Sequence, residues 1–129
     1  MALFFKKVER VNPRDKDAQR KWYASLKSIG LKKEKEIAIL AADGTTLDPK
    51  EAQLAYSRFG IVIMRMLLDG HTVEIENLGT FRLTANSEGV DKKEDLSPKQ
   101  IKKINLRFIP CEATKDALKK ATFKDFETM

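Results

Sequence analysis

From Phe59 to Leu68 the chain reads Phe-Gly-Ile-Val-Ile-Met-Arg-Met-Leu-Leu, with Arg65 its one charge. Upstream, Asp48-Pro49-Lys50-Glu51 is a helix start. Asp48 can accept from an orphan backbone amide, Pro49 suits the first helical position, and Glu51 stands where a capping box needs it. Gly70 is the stop, so the spacing predicts one long helix ending at Asp69. Its second half, with Phe59, Ile61, Val62, Ile63, Met64, Met66, Leu67 and Leu68, leaves little polar face. A helix apolar nearly all round must be covered on several sides, and 129 residues cannot supply that cover alone. The expectation is a homodimer in which two copies of this helix cross in a shared core, with Phe59, Val62, Ile63, Met66 and Leu67 at its centre.

The neighbouring elements follow from local patterning. A short helix is expected from about Lys33 to Ala42, with Ile37, Leu40 and Ala41 on one face and Gly44 as its stop. Thr72-Val73-Glu74-Ile75 alternates as a strand, Glu76-Asn77 turns, and Gly79 permits the backbone geometry before Thr80-Phe81-Arg82-Leu83 returns. Residues 86–95 carry Gly89 and mixed charge without apolar period, which predicts an exposed arm. Within that arm Ser97-Pro98-Lys99-Gln100 is a second helix start, enough for one turn. Ile104, Leu106 and Phe108 then point inward from a half-buried strand while Asn105 and Arg107 point away. Thr114 to Lys120 opens a basic terminal helix. At the other end, residues 3–11 read as a strand stopped by Asn12-Pro13, and Trp22-Tyr23 is expected to pack this extension onto the core.

Charge is unevenly spread. The chain has 25 Lys and Arg against 19 Asp and Glu, a net charge of +6, which favours a polyanionic partner. Residues 1–36 hold 11 basic and 5 acidic side chains, whereas residues 37–84 hold 4 and 6. The helical core is therefore not electropositive, and if the polyanion is DNA its contacts must come from the arm, the strand it feeds and the N-terminal segment. The candidate contacts are Arg82, Lys99, Lys102, Lys103, Arg107, Lys115, Lys119 and Lys120, with alternation placing Arg82 and Arg107 toward one surface. A merely solvated charged face is the plainer reading of the same lysines.

No catalytic constellation is visible. His71 is the only histidine and Cys111 the only cysteine, so neither a paired-His metal site nor a Cys pair is available. His71 at a helix end suits the dipole, and Cys111 reads as a buried small apolar residue. The single cysteine excludes an intrachain disulfide, and the N-terminal apolar run is too short for a signal peptide, so a cytoplasmic protein is expected. The expectation is a binding module with no enzyme activity, cofactor, metal, membrane span or small-molecule substrate.

The order of elements over residues 34–121 resembles the HU/IHF family of histone-like bacterial DNA-binding proteins. Leu78-Gly79-Thr80-Phe81 is similar to the family's Gly-x-Phe hairpin, Phe108 and Pro110 to the Phe-x-Pro ending its last strand, and Lys115-Asp116-Ala117-Leu118 to its terminal helix. The Val8-to-Pro13 run, the Trp22-Tyr23 pair and Ser87-Glu88-Gly89 look like the longer HU-related subgroup of Bacteroidetes-type bacteria. The resemblance implies an α+β, intertwined homodimer: two N-terminal helices, a three-stranded antiparallel sheet with a short arm (86–102), a C-terminal helix and a β extension. It implies an extension over residues 1–32, a DNA-binding domain over 33–129, and Phe81 and Phe108 in the dimer core. It further implies nucleoid-associated, sequence-nonspecific binding of double-stranded DNA, with a phosphate contact at Lys115. HU-like proteins bend DNA by inserting a proline from each arm tip. Here the arm is shorter, carries Glu88, Asp91, Glu94 and Asp95, and lacks the Arg-Asn-Pro tip, and Glu112 stands where the family tends to have lysine. These departures favour the alternative, a dimeric protein-interaction or assembly module that has lost DNA bending.

Overall fold

The computed structural model describes residues 1–11, 14 and 19–128 of the chain. The strand stop assigned to Asn12-Pro13 lies outside them. Two compact units emerge, Lys33–Asp116 and a second that joins Met1–Lys32 to Ala117–Met129.

In the first unit, α1 (Glu34–Ala42) and α2 (Pro49–Leu68) pack against each other. Lys33 N donates to Glu36 Oε2 at 3.0 Å to open α1, and Lys50 N donates to Asp48 Oδ1 at 3.0 Å to open α2. The end of α2 is a Schellman motif: His71 N donates to Met66 O and Gly70 N to Leu67 O, both at 3.0 Å, with Gly70 at φ +95°. Then β3 (Val73–Ile75), β4 (Gly79–Ser87) and β5 (Ile101–Pro110) form an antiparallel sheet in the order β3-β4-β5. In the β3–β4 turn Asn77 lies at φ +66° and Gly79, as expected, takes a positive φ, +158°. Gly79 is also required sterically: a Cβ there would collide with the Ile109 carbonyl oxygen and lie 2.6 Å from the Phe108 ring.

In the second unit, β1 (Leu3–Arg10) pairs antiparallel with β2 (Lys21–Lys27) and parallel with β6 (Phe123–Asp125), in the order β2-β1-β6. Helix α3 (Glu112–Lys119) runs across the division between the units. Leu3 N donates to Thr122 O, and Thr122 Oγ1 to Met1 O, each at 2.8 Å, which seats β6 beside β1. Sequence reading runs a single domain from 33 to 129. The pairing of β6 with β1 draws residues from Ala117 onward to the N-terminal strands instead.

Burial is sparse. Among the described residues the buried apolar side chains are Ala38, Ala42, Ala52 and Leu67, and none is larger than leucine. Trp22 is 68% exposed and Tyr23 48%, both on β2, an edge strand of its sheet. Two expectations are corrected. Ile104, Leu106 and Phe108 are exposed rather than half-buried, because the apolar face of β5 lacks a covering element within one chain. Cys111 is only partly buried.

Candidate nucleic-acid interface

The register of β4 against β5 sorts their side chains by face. Phe81 lies opposite Phe108, Leu83 opposite Leu106, and Ala85 opposite Ile104, which makes one face apolar. The Phe81 and Phe108 rings stack with centroids 4.9 Å apart, and α2 contacts this sheet through β3 and β4. The opposite face carries Thr80, Arg82, Thr84 and Asn86 of β4 against Ile109, Arg107, Asn105 and Lys103 of β5. Arg82 thus faces Arg107 directly across the ladder. Two rungs further out, Asn105 Nδ2 donates to Asn86 Oδ1 at 3.2 Å, next to Thr84.

No carboxylate occupies this polar face on β4 or β5. Glu74 of β3, paired with Thr80, is the acidic side chain at its base. Like charges directly opposed on a sheet cost a few tenths of a kcal/mol, about 0.2–1. A bound anion removes that repulsion, so the opposed arginines favour a phosphate between or above them.

The remaining candidate residues are arranged differently. Lys102 falls at an irregularity, where Asn86 pairs with Lys103 and Ser87 with Ile101, and its Nζ reaches Glu88 Oε1 at 3.8 Å. Lys99 sits in the single 3₁₀ turn Pro98–Gln100, capped as expected by Ser97: Ser97 N donates to Gln100 Oε1 at 2.7 Å and Lys99 N to Ser97 Oγ at 3.3 Å. Pro98 therefore opens a helical turn and does not stand at a strand-to-strand tip. Lys115 of α3 pairs with Glu112 at 3.7 Å. Lys119 and Lys120 belong to the other compact unit. The geometry therefore brings together Arg82, Lys103 and Arg107, with Lys102 and Lys99 further along the arm. Asn86 and Asn105, the amide pair within this face, carry no charge and were not singled out from sequence. Their signal was the same period-2 alternation that placed the arginines.

The start of α3 is fixed to the hairpin, since Thr114 Oγ1 donates to Leu78 O at 2.7 Å and Cys111 N to the same oxygen at 3.1 Å. The Thr114 hydroxyl lies 3.4 Å from Cys111 Sγ and holds that thiol below its ordinary pKa. Among the described residues no group of three or more His, Cys, Asp and Glu side chains is gathered as metal ligands, and no helix is long and apolar enough to cross a membrane.

A cavity of about 990 Å³ is lined by Tyr56, Phe59, Ile63, Val73, Ile75 and Phe81, among others. Of the expected dimer-core residues, Leu67 is buried within the chain, Val62, Ile63, Met66 and Phe81 are half-buried, and Phe59 and Phe108 are exposed.

Comparison with known proteins identifies this arrangement. No curated protein matches the sequence. A crystal structure from Bacteroides vulgatus, described as "Putative bacterial DNA binding protein", is similar over 97% of this chain with a TM-score of 0.63 at 15% identity. The present chain spans about half of that protein, 48% of its length. An Anabaena HU–DNA cocrystal structure is similar over 69% of this chain and 99% of its own, with a TM-score of 0.54 at 14% identity. At these identities both likenesses concern the fold. The sequence itself matches, over residues 1–125, the family model described as an HU domain fused to a winged helix-turn-helix, Ig or glycine-rich motif, and the chain belongs to that HU-HIG family.

Proposed function

We propose that this protein is a nucleoid-associated, HU-like architectural protein that binds duplex DNA as a homodimer, without base readout. The observation that carries the reading is the directly opposed Arg82–Arg107 pair on a polar sheet face whose two long strands carry no carboxylate. Guanidinium groups on such a face neutralise backbone phosphates and release counterions, which yields affinity without sequence preference. The similarity of the fold to an HU captured with DNA supports the same reading.

Exposed apolar side chains support the dimer. Phe59, Ile61 and Leu68 along α2 are each more than half exposed within one chain. A second copy of α2 crossing the first covers these residues and fills the open cavity.

One observation favours the alternative, an assembly module on the same fold. Two of the candidate cations, Lys102 and Lys115, are already engaged by Glu88 and Glu112. Fluorescence anisotropy on unrelated linear duplexes and on a pre-kinked duplex, across a salt series, decides between them. DNA binding predicts steep salt dependence with similar affinity for each linear sequence, and a preference for the kinked duplex adds bending. A folded dimer that ignores all of them at low salt establishes the assembly module.

A further inference from the structure

The N-terminal sheet has two unlike faces. Register and alternation put Phe4, Lys6, Val8 and Arg10 of β1 on the same face as Lys21, Tyr23, Ser25 and Lys27 of β2 and Lys124 of β6. Contacts agree with this sorting. The Phe4 ring meets Phe126 edge-on with centroids 6.5 Å apart, and Lys27 Nζ stands 4.2 Å over the same Phe126 ring. On the other face Lys7 Nζ reaches Asp125 Oδ2 at 3.3 Å. The first face therefore holds five cationic side chains and no carboxylate at its strand positions; the 3₁₀ turn that lays Phe126 on it adds Glu127. Arg10 lies directly opposite Lys21, a second like-charge rung.

We infer that this face is a second duplex-binding surface, on which Lys6, Arg10, Lys21 and Lys124 contact backbone phosphates and the exposed Tyr23 hydroxyl donates to one. The inference rests on the DNA-binding reading and enlarges it: the chain grips DNA through two separate cationic sheet faces. Like-charged rungs are tolerated where a polyanion neutralises them, and a duplex supplies regularly spaced phosphates. An anionic membrane is the poorer fit. Phe4 and Val8, the apolar residues of this face, are half-buried, while the exposed Trp22 and Leu26 that could enter a bilayer interface are on the opposite one. Single-stranded nucleic acid is also disfavoured, because Tyr23 stands alone and does not form a stacking platform.

The test uses the full chain and a salt series on a linear duplex, comparing wild type with Lys6→Gln combined with Arg10→Glu. Arg10→Glu turns the repulsive rung with Lys21 into an attractive one, so the sheet keeps its fold, and an unchanged unfolding midpoint documents it. The expected result is affinity lowered at least fivefold, with the slope of log K against log salt shallower by about 2, as two lost phosphate contacts require. Wild-type slope and affinity in this variant, alongside loss of binding in Arg82→Ala with Arg107→Ala, would overturn the inference and leave the central surface standing. Unchanged DNA binding with lost co-sedimentation on phosphatidylserine-containing vesicles would assign the face to a membrane and likewise overturn it. A wild-type chain that binds no duplex would remove the parent reading itself.

Discussion

The two three-stranded sheets of this protein obey the same alternation and end in different circumstances. In β3-β4-β5 the polar face presents Arg82 opposite Arg107, and α2 of the same chain contacts β3 and β4 while Ile104, Leu106 and Phe108 of β5 stay exposed. In β2-β1-β6 the polar face presents Arg10 opposite Lys21, but the other face leaves Leu3, Trp22, Leu26 and Phe123 exposed. A period-2 pattern decides which side chains share a face; it does not decide whether anything covers them. The first sheet is thus anchored by packing. The second is held by its ladders, by the ties between Thr122 and the N-terminus, and by Phe126 on its cationic face. Its opening free energy should be the lower of the two.

The largest effect is expected in the packed sheet. Gly79→Ala sets a methyl group against the Ile109 carbonyl and the Phe108 ring, and this backbone neighbour cannot rotate away. A loss of about 3 kcal/mol follows, at the upper end of overpacking costs, read as a fall in the unfolding midpoint in denaturant. A midpoint within 0.5 M of wild type would mean that β4 and β5 separate freely at their base, and the contrast between the sheets would lose its basis.

Next in size is Phe126→Ala, which removes the ring that meets Phe4 and supports Lys27. Because Phe126 is only partly buried, about 2 kcal/mol is expected, below the cost for a fully buried phenylalanine. Hydrogen exchange should rise at amides of β1 and β2 while those of α2 and β4 keep their protection. Equal acceleration everywhere would show one cooperative unit rather than two of unequal stability.

For the opposed arginine rung, on the proposed function, Arg82→Ala with Arg107→Ala should lower duplex affinity at least tenfold, about 1.4 kcal/mol, and flatten the salt slope by about 2. Folding stability should stay level or rise by about 0.2–1 kcal/mol, since a repulsive pair is gone. Unchanged affinity would return this face to the status of solvated charge.

Much of the first unit was legible in sequence because its signals are local. Asp48-Pro49 and Gly70 bracket α2 within one residue, and Ser97-Pro98-Lys99-Gln100 forms the capped turn those residues specify. The opposed arginines followed from counting by twos. The second unit was harder. The alternation Trp22, Ala24, Leu26 is present, and it puts these three exposed side chains on one face of β2. The parallel pairing of β1 with β6 leaves no local mark at all, since three residues after a helix have no periodicity to read and their partner lies over a hundred positions away. The ion pair that occupies Lys102 depends on register and rotamer, whereas the Glu112–Lys115 pair follows helical i,i+3 spacing.

The smallest test concerns the ion pair on the apolar side of the N-terminal sheet. Lys7 and Asp125 approach to 3.3 Å, with the lysine side chain 59% exposed and the carboxylate only 14%. An ion pair with one exposed partner contributes on the order of 0.5 kcal/mol, diminished by salt. Asp125→Asn keeps the shape and removes the charge, and it should lower the protection of β1 and β6 amides by about that amount at low ionic strength and by less at high. Because Asp125 Oδ1 also accepts from Glu127 N at 3.0 Å, the asparagine retains an acceptor for the final turn, and the charge effect is isolated. A salt-independent loss several times larger would mean that Asp125 holds β6 in place by more than charge, and that this sheet is less dependent on its ladders than its exposed apolar face implies.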